Sequence, residues 1–134
     1  MKKIFTNNEV EQILTTISAK DSFVNTAKMP AQIRQAIRVN RKTLTERMTI
    51  YQEGRNEILQ NYIKNGYAHQ DGNNVQVDEQ YRPAIVQEFT ELAMVKNDLD
   101  VEGIDKHVLE NFLNTNELTM AEEDVLLLFE NKEP

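Results

Sequence analysis

The fold is decided by residues 30–64, which read PAQIRQAIRVNRKTLTERMTIYQEGRNEILQNYIK. Pro30 is tolerated at a first helical position, where its missing N–H would have no partner, and Asn65-Gly66 is a strong helix stop. At about 100° per residue, the large apolar side chains fall on one stripe roughly 100° wide. These side chains are Ile33, Ile37, Leu44, Met48, Tyr51, Ile58, Leu59 and Tyr62. The segment therefore predicts one long amphipathic helix.

A helix of this length raises a packing problem. It would extend roughly 52 Å, whereas a compact domain of this chain length has a diameter of roughly 36 Å. Either the helix bends, most simply near Gly54, or it pairs with another copy or a partner. Ile37, Leu44, Tyr51 and Ile58 recur at heptad spacing, so we favour self-association through residues 30–64. A seam this short is also typical of one face of an intramolecular bundle.

Shorter elements are predicted on both sides of this helix. The capping box from Thr6 to Glu9 opens a first helix, and the capping box from Thr119 to Glu122 opens a last one. Asp71-Gly72 favours a hairpin over residues 66–78. A further helix begins after Asp78 and runs to about residue 96. Its predicted buried side consists of Tyr81, Ile85, Phe89, Leu92 and Val95.

Two more short segments complete the predicted fold. Asp98-Leu99-Asp100-Val101 alternates like a strand that could join the hairpin, and residues 105–113 favour a short helix. We therefore predict a mainly α domain of the α+β class, comprising residues 1–134. It should have one long central helix, three or four shorter helices and a small β-hairpin or strand element.

The composition excludes several classes of protein. The 134 residues include no cysteine, which rules out disulfides and thiolate chemistry. Residues 1–7 turn polar too soon for a signal peptide, and the longest apolar run, Val125–Phe129, is far too short to span a membrane. We therefore expect a cytoplasmic protein without membrane contact.

The charges are divided along the chain. Residues 28–64 hold eight basic and three acidic side chains, whereas residues 65–134 hold four basic and sixteen acidic ones. On the helical wheel, four cations border the apolar stripe and one lies inside it, between Tyr51 and Ile58. The bordering cations are Arg34, Arg38, Arg41 and Lys42, and the inner one is Arg55. Because an unpaired buried charge is very costly, Arg55 needs a carboxylate or a ligand.

Three interpretations of these five cations remain open. They could pair with the acidic C-terminal half of the chain. They could instead form a binding site that faces a partner protein, or converge across a dimer axis to hold a small phosphate-bearing molecule. Nucleic-acid binding is disfavoured by the net charge of −7 and by the few aromatic residues beside the cations.

Catalytic and metal-binding patterns are weak. Asp98-x-Asp100-x-Glu102-Gly103 copies the start of a calcium loop, but the twelfth position is Leu109 instead of a bidentate carboxylate. His69 and His107 lie at no metal-ligand spacing, and the sequence contains no Gly-x-Ser-x-Gly or phosphate-loop motif. We predict a protein that is not an enzyme and has no metal site and no cofactor.

Several segments together carry a family resemblance. They are Lys3-Ile4-Phe5, residues 28–41 with Arg34, Arg38, Asn40 and Arg41, Glu57-Ile58-Leu59, Asp71-Gly72-Asn73, Phe89-Thr90-Glu91-Leu92, Asp98–Val101 and Leu118-Thr119. In this layout the chain resembles a family of small uncharacterised proteins from tailed phages and prophages of Gram-positive bacteria. The resemblance covers most of the chain. It implies a phage-encoded accessory protein in the host cytoplasm, with no catalytic residues to transfer.

The functional prediction combines these observations. We expect a non-catalytic protein-interaction module of a phage or prophage, which binds a protein partner and self-associates through residues 30–64. The alternative is an anti-defence protein, which inhibits a host immune protein or sequesters an anionic nucleotide signal through the Arg/Lys flank.

Overall fold

A single unbroken helix, α3, spans Ala31–Lys64 and confirms the predicted long helix. The computed structural model describes residues 1–132. Pro30 is the N-cap of α3 and not its first helical residue. At the other end, Asn65 is the C-cap, and Gly66 turns the chain away with a φ of 78°. Glycine adopts this left-handed backbone at no steric cost, so the sequence ends the helix where predicted.

The remaining elements surround α3. The helices are α1 (Asn7–Ser18), the four-residue α2 (Phe23–Thr26), α4 (Arg82–Ala93), α5 (Lys106–Thr115) and α6 (Met120–Leu128). The strands are β1 (Lys2–Thr6), β2 (Ala68–Asp71), β3 (Asn74–Val77) and β4 (Lys96–Asp100). They form two antiparallel ladders, β1 with β4 and β2 with β3. The fold is thus mainly α within the α+β class, as predicted.

Both capping boxes predicted from the sequence are present. The Thr6 hydroxyl accepts a hydrogen bond from the Glu9 backbone N–H at 3.1 Å, and the Glu9 carboxylate accepts one from the Thr6 N–H at 3.0 Å. Thr119 and Glu122 repeat the arrangement at the start of α6. Each box satisfies two amide groups that a helix start would leave without partners, which fixes where α1 and α6 begin.

The first half of the α3 stripe is buried inside the chain's own core. Ile33 and Leu44 are completely buried, and Ile37 is 3% exposed. They pack with residues from α1, α5, α6 and β4, including Ile13, Leu99, Phe112 and Leu126. This half of the apolar stripe is therefore one face of an intramolecular bundle. Another copy of the chain could pair with α3 only through other faces of the helix.

The second half of α3 is covered by α4. A Cβ atom at Gly54 would lie 3.1 Å from Leu92 Cδ2, so the glycine permits a close approach of the two helices. The helix does not end or break at Gly54. Tyr51 is 5% exposed, and Ile85 of α4 is 4% exposed. The chain thus covers this end of the apolar stripe with a separate helix, which leaves Ile58, Leu59 and Tyr62 half-buried.

The far end of α3 carries an aromatic cluster. Tyr67 stacks on Tyr81 with ring centroids 3.9 Å apart, and Tyr62 meets Tyr67 edge-on at 5.9 Å. The hydrogen bond between Tyr62 and Glu88 raises the pKa of Tyr62 to about 12. The cluster joins α3 to the start of α4 and to the hairpin, and such ring pairs add about 0.5–1.5 kcal/mol beyond their buried area.

The strand predicted near Asp98 exists, but the prediction that it could join the hairpin is wrong. In register, β4 pairs Asp98 with Ile4 and Asn97 with Phe5 of β1. Helix α4 lies between the hairpin and β4 in the chain and has 12 residues, which extend about 18 Å along its axis. It also ends at Ala93, before the predicted residue 96, and leaves Val95 49% exposed instead of buried.

Glu122 ties the last helix to α2. Its carboxylate accepts hydrogen bonds from the Phe23 N–H at 2.7 Å and from the Thr119 N–H at 3.0 Å, and the residue is 8% exposed. Burial alone would raise the pKa of this carboxyl. The hydrogen bonds outweigh burial, and the net pKa lies below its usual range. This buried carboxylate therefore stabilises the position of α2.

We expect Glu122→Gln to lower the free energy of unfolding by about 1–3 kcal/mol at pH 7, because an amide offers one acceptor oxygen in place of two. A lowered pKa in the folded state adds stability above the ordinary glutamate pKa, and this is lost as the pH falls through the folded value. The difference from wild type should therefore shrink in acid. Urea unfolding at several pH values tests this, with Glu123→Gln as control. An equal effect of both substitutions would contradict it.

Candidate anion-binding site

Three of the five predicted binding residues line one cavity. Arg34, Arg38 and Arg41 are spaced four and three residues apart on α3, which places them on one face of the helix. The cavity has a volume of about 260 Å³. Its lining residues are Val24, Met29, Arg34, Ile37, Arg38 and Arg41. We call this cavity the arginine pocket.

The apolar wall of the arginine pocket comes from α2 and the segment before α3. Ser22 donates a hydrogen bond from its hydroxyl to the Ile17 carbonyl at 3.0 Å, and Phe23 is buried with its ring edge-on to Phe112. These contacts, with the Glu122 carboxylate on the Phe23 N–H, hold Val24 over α3. This wall was not predicted from the sequence. The signal for it was Phe23 and Val24, two apolar residues inside an otherwise polar connector.

Arg41 is the best anchored of the three arginines. Its Nη2 donates to the Ile17 carbonyl at 3.4 Å, in the last turn of α1, where a cation is favoured by the helix dipole. Its Nε is buried and has no hydrogen-bond acceptor within the described residues. A buried donor without a partner costs about 1–3 kcal/mol. The guanidinium is thus held in place but not fully satisfied.

No carboxylate among residues 1–132 forms an ion pair with an arginine of the pocket. None of the ion pairs formed within residues 1–132 involves Arg34, Arg38, Arg41 or Lys42. Within residues 1–132, the ion pairs therefore give no support to the interpretation that these four cations pair with the acidic C-terminal half. The pocket combines three positive charges, two of them on exposed side chains, with an apolar wall.

The other two predicted binding residues lie elsewhere. Lys42 is exposed and does not line the arginine pocket. Arg55 pairs with Glu11 at 2.8 Å and lies 4.4 Å above the Tyr51 ring. The expectation that Arg55 needs a carboxylate is confirmed, but the partner comes from α1 and not from the acidic C-terminal half. Arg55 therefore does not take part in the candidate site.

The lining residues determine what the arginine pocket can do chemically. Guanidinium groups donate hydrogen bonds, remain protonated at all ordinary pH values and match planar or tetrahedral oxyanions. No aspartate, glutamate or histidine lines the cavity as the structure describes it. Its volume is below the roughly 300–1,000 Å³ of pockets that enclose a drug-sized ligand. The site suits one anionic group attached to a larger molecule that remains outside.

The other surfaces are of different character. A groove of about 450 Å³ between α3 and α4 is lined by Tyr51, Arg55, Val86, Phe89, Thr90 and Ala93. A second groove, between α1 and α6, has three acidic residues in its lining, Glu9, Glu11 and Asp124. Residues 1–132 hold no cluster of three histidine or acidic side chains that could bind a metal ion. No helix in this range is long and apolar enough to cross a membrane.

Comparisons with protein-family models, curated proteins and solved structures found no match to the chain.

Arg55 and Glu11 should be energetically coupled, since their side chains form an ion pair that is about one-third exposed. Exposed pairs contribute about 0.2–1 kcal/mol, and a cation over a tyrosine ring adds about 0.5–1 kcal/mol. We expect Arg55→Met to destabilise the fold by about 1 kcal/mol. A double-mutant cycle with Glu11→Gln, followed by denaturant unfolding, should give a coupling energy that falls with added salt. Strict additivity of the two substitutions would show that the pair contributes nothing.

Proposed function

We propose that this chain is a non-catalytic, phage- or prophage-encoded interaction module that binds an anionic partner through the arginine pocket. The observation that carries this proposal is the convergence of Arg34, Arg38 and Arg41 on one cavity without a neutralising carboxylate among residues 1–132. The phage or prophage origin is supported by the resemblance in segment layout alone.

The composition of the pocket favours binding over catalysis. Arginine does not titrate near neutral pH, and valine, methionine and isoleucine carry no group that could act as a nucleophile or general base. The cavity instead supplies hydrogen-bond donors, positive charge and a small apolar surface. These are the elements of a recognition site for a carboxylate or a phosphate.

The size of the pocket favours a protein partner over a fully enclosed small molecule. A volume of about 260 Å³ accommodates one anionic side chain, while the exposed Lys42 lies outside the pocket on α3, where it can meet further negative charge. This arrangement supports the anti-defence alternative, in which the chain binds and inhibits a host immune protein. Sequestration of a free nucleotide would leave most of the nucleotide outside the pocket.

Charge reversal by Arg34→Glu with Arg38→Glu should abolish partner capture, because both residues line the pocket and are exposed. Arg47→Glu with Lys64→Glu is the matched control, since it makes the same change in net charge at exposed positions on the same helix. The measurement is recovery of bound protein from host lysate by affinity purification, with circular dichroism to check folding. Equal recovery by both folded double variants would contradict the proposal.

Self-association is a second candidate function, favoured by the groove between α3 and α4. Val86 is 60% exposed and borders the apolar groove that Tyr51, Phe89 and Ala93 also line. A projecting residue beside a recess on the same surface is what a twofold contact between identical chains requires. In such a dimer, Val86 of each copy would insert into the groove of the other copy.

If this contact forms, Val86→Glu should convert a dimer into a monomer without unfolding the chain, because the side chain is already largely in solvent. Leu127→Glu, on α6 and 42% exposed, is the control for adding a charge at an exposed apolar position. Sedimentation equilibrium over a concentration series gives the masses. A wild-type monomer at every concentration, or a dimer unaffected by Val86→Glu, would rule out this interface.

A further inference from the structure

The chemical class of the anion that binds in the arginine pocket can be assigned more closely, and this assignment rests on the proposed function. We propose that the anionic group it binds is a phosphoryl group, in the form of a phosphate monoester. The observations behind this proposal are the three arginines that line about 260 Å³ and the buried Nε of Arg41, which has no acceptor among residues 1–132.

Charge matching favours phosphate over carboxylate. A carboxylate carries one negative charge and two acceptor oxygens, so it would leave two of the three guanidinium charges without compensation. A phosphate monoester carries about −1.5 to −2 at neutral pH and presents three acceptor oxygens. Arg34, Arg38 and Arg41 can therefore each donate to a different oxygen of one phosphoryl group.

Arg41 gives the pocket a preformed donor. Its Nη2 is committed to the Ile17 carbonyl at 3.4 Å, a long hydrogen bond that orients the guanidinium plane. Its buried Nε has no acceptor in the part of the chain that the structure describes. This Nε is enclosed by protein in the free chain, so the guanidinium must turn before a phosphoryl oxygen in the cavity could provide the missing acceptor. Ligand binding would then remove an energetic penalty that the free protein carries.

The apolar wall indicates what carries the phosphoryl group. Val24, Met29 and Ile37 can contact the carbon atoms next to the ester oxygen. No aromatic side chain lines the cavity as the structure describes it, so the site lacks the stacking platform that proteins use for nucleobases. The chemistry therefore fits a phosphorylated hydroxyl side chain of a partner protein better than a nucleotide, although both present the same phosphate monoester.

The test is titration of the full ¹⁵N-labelled chain, observed by NMR, with inorganic phosphate, O-phosphoserine, AMP and glutamate. Inorganic phosphate and O-phosphoserine should shift the Arg41 Nε–H resonance and the amides around Val24 and Met29, whereas glutamate at equal concentration should not. Arg38→Gln should weaken O-phosphoserine binding about tenfold or more, because it removes a charge-assisted hydrogen bond. Arg47→Gln, on the same helix, should have no effect.

The pH dependence provides a second readout. The groups lining the pocket that carry charge are the three arginines, which do not titrate, so only the ligand changes charge. The second phosphate pKa is about 6, and O-phosphoserine affinity should fall about tenfold between pH 7.5 and pH 5 as the dianion disappears. Glutamate binding would remain constant over this range, since its side chain stays ionised.

The outcomes separate this inference from the proposed function. Glutamate binding as tight as O-phosphoserine binding, or no shift of the Arg41 Nε–H with any phosphate probe, overturns the phosphoryl assignment. The proposed function survives that result if Arg34→Glu with Arg38→Glu still abolishes partner capture. Binding of AMP at least tenfold tighter than O-phosphoserine supports a phosphoryl site and identifies nucleotides as its source.

Discussion

The length of α3 is the constraint on which the rest of the structure depends. The helix has 34 residues and extends about 51 Å, which exceeds the roughly 36 Å diameter of a compact chain of this size. No single core can cover it. The chain therefore covers α3 in sections, with α5, α6 and β4 over the first half, and α4 with the hairpin over the second. Helix α1 contacts both halves, since Ile17 accepts from Arg41 and Glu11 pairs with Arg55. Asn40 links α3 to the loop after β4, because its buried amide both donates to and accepts from the Glu102 backbone.

This division of the helix explains where the candidate site lies. The arginine pocket lies on the first half of α3, where Val24 of α2 and Met29 form its apolar wall. Arg34 and Arg38 are four residues apart and carry like charges, which destabilises a helix by about 0.2–0.5 kcal/mol. Arg41 adds a buried N–H without an acceptor among residues 1–132. These two costs to the free protein are what a bound anion would relieve, which is why we propose a ligand for the pocket.

Much of this fold could be predicted because it depends on interactions between residues that are close in sequence. The two capping boxes and the helical period of the α3 stripe involve residues close in sequence, and the same spacing grouped Arg34, Arg38 and Arg41. The errors arose from contacts between distant segments. Ile4 pairs with Asp98, and Arg55 pairs with Glu11, and no local pattern specifies either contact. Val95 was predicted to be buried in the last turn of a helix. The helix ends at Ala93 instead, and the Val95 carbonyl accepts a hydrogen bond from the Asn7 N–H directly after β1. The wall of the pocket depends on Phe23 and Glu122, which are 99 residues apart.

The two proposed surfaces lie on different halves of α3, and this has a consequence for how they could work together. From Arg38 to Tyr51 the helix rises about 20 Å, which exceeds the screening length of about 8 Å in physiological salt. A charge bound in the arginine pocket therefore has little direct electrostatic effect on the groove that Val86 borders. The rigid helix between them fixes their separation without coupling their energies, as expected for sites that share no contacts. A dimer formed through the groove would thus present two arginine pockets at once, and a partner with two anionic groups would bind it more tightly than either pocket alone.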